Sequence, residues 1–291
     1  MKKVNAAPAP LAWDVLTLKR KGFTRDVPRA KPDALWVANS STLIWGERDA
    51  VLVDTYLTKE HAQVQADWIA ASGRNLIAIY ITHGHGDHFF GLAPLLEHFP
   101  HARAVALPQV VEAMRAQLSP ASIDGFWRKL FPGEIADRLL VAEPLEDGRI
   151  ELEGHLLLAV ETGRTDTAYS TSLHVPSAGL LVAGDVVYNG IHPYLGETDT
   201  QSRLEWIAAL DKLAALNAKV VVAGHKVPDN LDDPEDIERT RQYLVDFNRV
   251  DAATTTAVEL YEAMLDLYPD RANPGSLWGG AQAAKRRSSV Q

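Results

Sequence analysis

One short run, Thr82-His83-Gly84-His85-Gly86-Asp87-His88, constrains this chain more than any other stretch. It places four candidate metal ligands almost side by side, with two glycines between them. Imidazole nitrogen and carboxylate oxygen together suit zinc, iron or manganese. Glycine permits the tight backbone path that turns alternating side chains toward one point. The preceding run, Leu76 to Ile81, is continuously apolar, as expected of a strand covered on both faces. The histidines therefore sit at the C-terminal end of a buried strand. A lone histidine there is usually structural, but four ligand types packed this densely point to a metal site.

The rest of the composition narrows how such a site can be built. There is no cysteine, so no thiolate ligand, disulfide or Cys nucleophile exists, and any metal is held by His and carboxylates. Hydrophobic residues make up 46% and charged residues 23% of the 291, an ordinary balance for a soluble globular chain. The formal net charge of -9 argues against general nucleic-acid binding, which needs a basic face. No apolar run is long enough to span a membrane. The start, Met1-Lys2-Lys3, resembles the basic end of a signal peptide. The apolar stretch after it is short and broken by Pro8 and Pro10, so no complete signal is read and a cytoplasmic location is expected. The expected partner is a small-molecule substrate, with neither nucleic acid nor membrane.

Residues 1–33 are rich in Pro, Lys and Arg and read as an irregular lead-in. Leu35 to Ile44 and Ala50 to Val53 flank Gly46-Glu47-Arg48-Asp49 as the arms of a β-hairpin. A helical pattern over 59–71 precedes the buried strand. After the histidines, Phe89 to His98 reads as a helix, Ala102 to Leu107 as a strand and Pro108 to Gln117 as a helix. Ser119 to Arg138 is less regular and gathers Phe126, Trp127, Leu130 and Phe131 on one short helix. That cluster is read as a wall of the substrate pocket, with core packing or a homodimer contact as the alternatives. Strands follow near 139–142, 149–152, 155–161, 171–175 and 179–183. Then come a loop from Asp185 to about Thr200, a helix at 202–216 and a strand from Lys219 to Ala223. Two helical stripes, Ile237-Thr240-Leu244-Phe247 and Val258-Tyr261-Leu265-Tyr268, are read as core contacts. No linker divides the halves. The expected architecture is one α+β domain over 34–272, a four-layer αββα sandwich, with 273–291 as a tail ending in the solvated basic stretch Lys285 to Ser289.

The pattern His83-x-His85-x-Asp87-His88 resembles the signature of the metallo-β-lactamase superfamily. The resemblance extends to three strand ends, Leu52-Val53-Asp54, Ala183-Gly184-Asp185 and Ala223-Gly224-His225. It implies that Asp185 bridges two metals, that His225 completes the second site, and that Asp54 supports the histidine loop without ligating. Carried over, the first site takes His83, His85 and Asp185, and the second takes Asp87, His88, Asp185 and His225. The family places one more His in the first site. In the matching segment Thr162 to Thr167, the expected Gly-His-Thr reads Gly163-Arg164-Thr165. A guanidinium has no lone pair to give a metal and stays protonated. Three roles are open to Arg164. It swings away and leaves a weak first site, it pairs with Asp185 in place of a metal charge, or it binds a carboxylate or phosphate on the substrate. The second site is expected to be the complete one.

In lactonases of the superfamily that this chain resembles, a Tyr three residues after the bridging Asp assists at the reacting carbonyl, which makes Tyr188 a catalytic candidate. Tyr194 is a weaker one, and His192 lies in the loop after Asp185, within reach of the site. Lys226, beside His225, is positioned to neutralise an acidic substrate, and Trp127 and Phe131 to bind it. The resemblance implies hydrolysis of a lactone, ester or β-lactam-like carbonyl through a metal-bound hydroxide, with Asp87 or Asp185 orienting the water and moving its proton. One or two Zn2+ ions are expected, with Fe or Mn as alternatives. The competing readings are a thioesterase of the glyoxalase II type and a non-catalytic binding protein on a decayed hydrolase scaffold.

Overall fold

The computed structural model describes residues 8–22, 24, 26–29 and 34–288. The signal-like start at residues 1–7 and the last residues of the basic tail, 289–291, lie outside the described residues.

The central strands are built from sequences that are apolar on both faces. In β3 (Asp49–Val53), Ala50 and Leu52 face one apolar cluster while Val51 and Val53 face another. In β10 (Leu180–Asn189), Leu181 and Ala183 face outward to helices while Leu180 and Val182 face inward. Successive side chains point to opposite sides of a strand, so a continuous apolar run is what a sheet buried on both faces requires.

The first half of the fold comprises β1 (Ala12–Lys21), β2 (Trp36–Trp45), β3, β4 (Asn75–Tyr80), β5 (Arg103–Ala106) and β6 (Glu143–Pro144). The second comprises β7 (Arg149–Leu152), β8 (His155–Gly163), β9 (Ser170–Val175), β10 and β11 (Val220–Lys226). The hydrogen-bonded order is β6-β5-β4-β3-β2-β11-β10-β9-β8-β7, with β1 on the other side of β2. β2 joins the halves: Thr42 to Trp45 pair with β3, and Asn39 pairs with His225 of β11. The two halves fold onto each other around an inner core that includes Ile44, Val53 and Tyr80 from one side and Leu152, Leu173 and Val182 from the other.

Helices cover both outer faces. α1 (Lys59–Ala71), α2 (Gly86–Phe89), α3 (Leu92–His98) and α4 (Pro108–Gln117) lie against the first half, where Ile69, Phe89, Leu95 and Met114 are buried. The helical turns α5 (Pro120–Ser122) and α6 (Arg128–Leu130) follow, joined by a π-helical turn at Ile123–Trp127. α7 (Thr200–Ala214), α8 (Glu235–Ala253), α9 (Ala257–Leu267) and α10 (Pro274–Ser288) cover the second half with Trp206, Phe247, Tyr261 and Leu277. The α+β sandwich expected from the sequence is thus present as four layers, helices, sheet, sheet, helices.

Several elements differ from expectation. The supposed lead-in contains β1, paired with β2 in register from Ala12↔Trp45 to Lys21↔Trp36. The supposed tail is helix α10, held by Leu277 and Ala281 in the core and by Lys285, whose ammonium donates to the Asp251 and Thr254 carbonyls. The strand expected near 139–142 is the short β6 at Glu143–Pro144. β10 does not end at 183 but runs on past Asp185 to Asn189. In α9 the buried stripe is Leu260, Tyr261 and Met264, while Val258 is exposed.

Candidate metal centre

The site forms where the two halves meet. β4 delivers the histidine loop, and His83 makes an isolated antiparallel bridge to Ser170 at the start of β9. Asp54 follows β3 in a left-handed conformation, φ 60°. Its Oδ1 accepts from the Thr82 backbone N–H at 2.8 Å and its Oδ2 from the Thr82 hydroxyl at 2.7 Å. That Oδ2 also lies 3.0 Å from His88 Nδ1. The irregular register of β10 against β11, with shifts on both sides of Gly184, re-aims Asp185 into the centre. Glycine is required on the facing strand: a Cβ on Gly224 would collide with Asp185 Oδ1.

Two groups of side chains emerge, each with candidate ligand atoms within 4.8 Å of one another. The first is His83, His85, Asp166 and Asp185, and the second is Asp87, His88 and His225. Asp185 links them: its Oδ2 lies 3.7 Å from His83 Nε2 and 3.0 Å from His225 Nε2, and its Oδ1 3.3 Å from His88 Nε2. Asp54 also lies close to His83 and His88, but its oxygens are committed to Thr82 and His88 Nδ1, so it orients the loop.

Each imidazole is held by its outer nitrogen. His83 Nδ1 meets the Thr82 hydroxyl at 3.0 Å, and His85 Nε2 meets Glu197 at 3.1 Å. His88 Nδ1 meets Asp54 at 3.0 Å, and His225 Nδ1 meets the Ala38 carbonyl at 2.9 Å. The opposite nitrogens converge inward. Outer partners of this kind fix tautomer and ring orientation for metal ligation. Meanwhile buried Asp166 Oδ2 faces His85 Nδ1 at 3.1 Å and buried Asp185 Oδ1 faces His88 Nε2 at 3.3 Å. Buried carboxylate oxygens are costly unless a donor or a cation faces them. The donor set therefore fits a divalent ion bound through nitrogen and oxygen.

The electrostatics follow the same geometry. Burial opposes charge on Asp87, but Arg20, then His88 and His225, outweigh it and hold the carboxyl well below the usual range. Burial likewise opposes charge on Asp185, and His225, His88 and His83 more than compensate. Burial disfavours the His88 imidazolium, yet Asp185 and Asp54 raise its pKa well above the ordinary value. Burial, with His88 beside it, lowers that of His83.

Asp166 is the residue that sequence reasoning missed. It lies in the β8–β9 loop, fully buried, with Oδ1 accepting from the Thr165 hydroxyl at 2.8 Å and Oδ2 at 3.1 Å from His85 Nδ1. Arg164, assigned to the missing ligand position, is exposed and belongs to neither ligand group. The reason is local: Gly163 adopts φ 72° at the end of β8, and the chain turns inward only at Thr165 and Asp166. The signal was present as Asp166-Thr167, a ligand type followed by Thr two residues after Arg164-Thr165. Glu197, the partner of His85, carried no sequence signal.

The other candidates are placed as follows. Tyr188 pairs with His225 across β10 and β11, stacks on its ring at 5.5 Å, and donates its hydroxyl to Asp185 Oδ2 at 3.1 Å. It lines a cavity of about 260 Å³ beside the ligand groups, together with Arg20, Asp87, Trp127, Tyr194 and His225. Phe131 does not line that cavity. It packs in the first-half core, stacked on Trp127, with the Arg20 guanidinium 5.6 Å from its ring. Lys226 does not reach the site: it is buried and its ammonium donates to Asp232 at 2.5 Å. His192 is also turned away, with Nδ1 2.9 Å from the Tyr243 hydroxyl and burial pushing its pKa down to about 3.

The model of the metallo-beta-lactamase superfamily matches residues 34–225, and the chain belongs to that superfamily. Among solved structures, a metallo-beta-lactamase family protein from Thermus thermophilus superposes with a TM-score of 0.62 at 22% identity, covering 94% of each chain. A metallo-beta-lactamase from Pontibacter korlensis superposes with a TM-score of 0.59 at 18% identity, over 83% of this chain and 98% of its own. No curated protein matches the sequence. Superfamily membership and the two ligand groups support a metal-dependent hydrolase in general terms. Among the described residues, no helix is long and apolar enough to cross a membrane.

Proposed function

We propose that the protein is a zinc-dependent hydrolase of lactones, esters or β-lactams. The observation that carries this reading is the convergence of four outwardly anchored imidazoles with Asp166 and Asp185 beside the 260 Å³ cavity, which His85, Asp87 and His225 line. A divalent ion held there would supply Lewis acidity and lower the pKa of water. His83, His85, Asp166 and Asp185 would hold one ion, and Asp87, His88, Asp185 and His225 a second. Asp87 or Asp185 would orient the attacking water and move its proton. Tyr188, kept protonated by burial, would turn its hydroxyl from Asp185 to donate to charge that develops on a carbonyl oxygen. Val37, Phe126, Trp127 and Ile191 give the cavity an apolar wall suited to an acyl chain or ring. A second hollow of about 600 Å³ adjoins it at His85 and Glu197 and gives room for a longer leaving group.

The test is turnover of a panel, namely five- and six-membered lactones, p-nitrophenyl esters, a chromogenic cephalosporin and a glutathione thioester. Activity is expected on a lactone or ester, abolished by chelation and restored by zinc. His225→Ala is expected to lower kcat/KM by about a hundred-fold or more. Turnover of the thioester alone would favour the glyoxalase II type of chemistry. Bound metal with no turnover of any substrate would favour a binding protein.

A further inference from the structure

The second ligand group contains a positive charge of the protein's own. Arg20, on β1, reaches across β2 with a side chain only 6% exposed and donates from one terminal nitrogen to Asp87 Oδ2 at 2.7 Å. The other terminal nitrogen reaches the Lys21 carbonyl at 3.3 Å, and the buried Nε has no hydrogen-bond partner. Asp87 Oδ2 accepts a second hydrogen bond, from Asn39 Nδ2 at 3.0 Å. The first group is different. Among the described residues, the basic side chains in ionic contact with Asp166 and Asp185 are histidines alone. Asp166 Oδ2 faces His85 Nδ1 at 3.1 Å and Asp185 Oδ1 faces His88 Nε2 at 3.3 Å, and an imidazole, unlike a guanidinium, gives up its proton to bind metal.

We propose that Arg20 is a tethered cation that makes the two metal positions unequal and sets the order in which they fill. This inference rests on the metal-centre reading above. His83, His85, Asp166 and Asp185 bind the first ion tightly, because two buried carboxylates face it and no permanent cation opposes it. A second ion at Asp87, His88 and His225 meets a fixed guanidinium that already neutralises Asp87 and occupies one of its oxygens. Repulsion between charges a few ångströms apart is strong where water is excluded. The guanidinium cannot relieve it by losing its proton, as a lysine or histidine would. Site order is thereby built into the edge strand, far in sequence from the ligands it governs.

The experiment is zinc titration of the full chain after chelator stripping, with a chromophoric chelator as competitor and cobalt absorption as a second probe. Wild type is expected to bind one ion at least about a hundred-fold more tightly than the next. Arg20→Gln keeps a donor toward Asp87 but removes the charge. It is expected to tighten the second step about ten-fold or more and leave the first within about two-fold. Arg20→Lys is expected to keep the second step weak. Two equal steps in wild type, or a second step unchanged in Arg20→Gln, overturns the proposal. If Arg20→Gln does not fold, Asp166→Asn must remove the tight step and His225→Ala the weak one, and the reverse assignment overturns it. A folded wild-type chain that binds no zinc at either step refutes the metal-centre reading itself, a result distinct from two equal steps.

Discussion

Asp166 and Arg164 are two residues apart in the same loop, yet one is fully buried against His85 and the other is in solvent. Their substitutions should therefore separate cleanly. Asp166→Ala removes a buried oxygen ligand and is expected to weaken the first ion by more than about a hundred-fold, beyond the range typical of second-layer partners. Arg164→Ala is expected to leave metal affinity unchanged, and equilibrium dialysis of the two variants beside wild type checks both. Equal losses in the two would return Arg164 to the centre. At this level the sequence was legible wherever candidate ligands were dense in one segment, as at His83, His85, Asp87 and His88, which the fold does bring together. It was least legible where spacing had to be inferred across a loop. A two-residue shift at Gly163 moves the ligand position from one side chain to another, and neither composition nor periodicity reports such a shift. Arg20 was hidden for a different reason: its partner Asp87 lies 67 positions away, and only pairing of β1 with β2 brings them together.

The helical turns from Pro120 to Leu130 illustrate how one element divides between packing and binding. Trp127 is buried, with its ring edge-on to Phe90 at 5.6 Å and stacked on Phe131 at 6.2 Å, and it also lines the cavity. Phe126, one residue earlier in the π-helical turn, lines the same cavity but is 42% exposed. Trp127→Ala is expected to cost about 3 kcal/mol or more in urea unfolding, because it leaves a cavity in the core. Phe126→Ala is expected to cost under about 1 kcal/mol and to raise KM for substrates with bulky acyl groups while zinc content stays constant. Unchanged kinetics for Phe126→Ala would remove this turn from the substrate site. The aromatic cluster was readable as a cluster, but the sequence could not divide it, because the π-helical turn alters which side chains share a face. β1 went unread for a related reason. It is an edge strand carrying Lys19, Arg20 and Lys21, the charges that protect an edge from pairing, and those charges resemble an irregular lead-in. Strands apolar on both faces, such as β3 and β4, had no such ambiguity.

The candidate ligands are drawn from both halves of the sandwich, which would tie metal binding to global stability. His83, His85, Asp87 and His88 follow β4, whereas Asp166, Asp185 and His225 belong to the β8–β9 loop, β10 and β11. The halves are joined by the Asn39↔His225 pair of β2 and β11 and by the His83↔Ser170 bridge beside the site. An ion shared through Asp185 would add a cross-link between two layers that also meet through the inner apolar core. Without it, the buried carboxylates of Asp166 and Asp185 rest on the imidazoles of His83, His85, His88 and His225. Ligand that binds only the folded chain stabilises it by about 2.7 kcal/mol at a hundred times its dissociation constant. For a chain of this size that corresponds to a rise in Tm of about 4 °C. Chelation is thus expected to lower Tm by that amount, and hydrogen exchange should rise most at the C-terminal ends of β10 and β11, where the second half supplies its ligands. Asp166→Ala should show the lower Tm even with zinc present, and added chelator should lower it little further. The measurement is thermal melting of wild type and variant across a zinc–chelator series, with exchange mapped at the two endpoints. A Tm indifferent to both chelator and millimolar zinc would mean that the converging carboxylates and imidazoles are a structural network and not a metal centre.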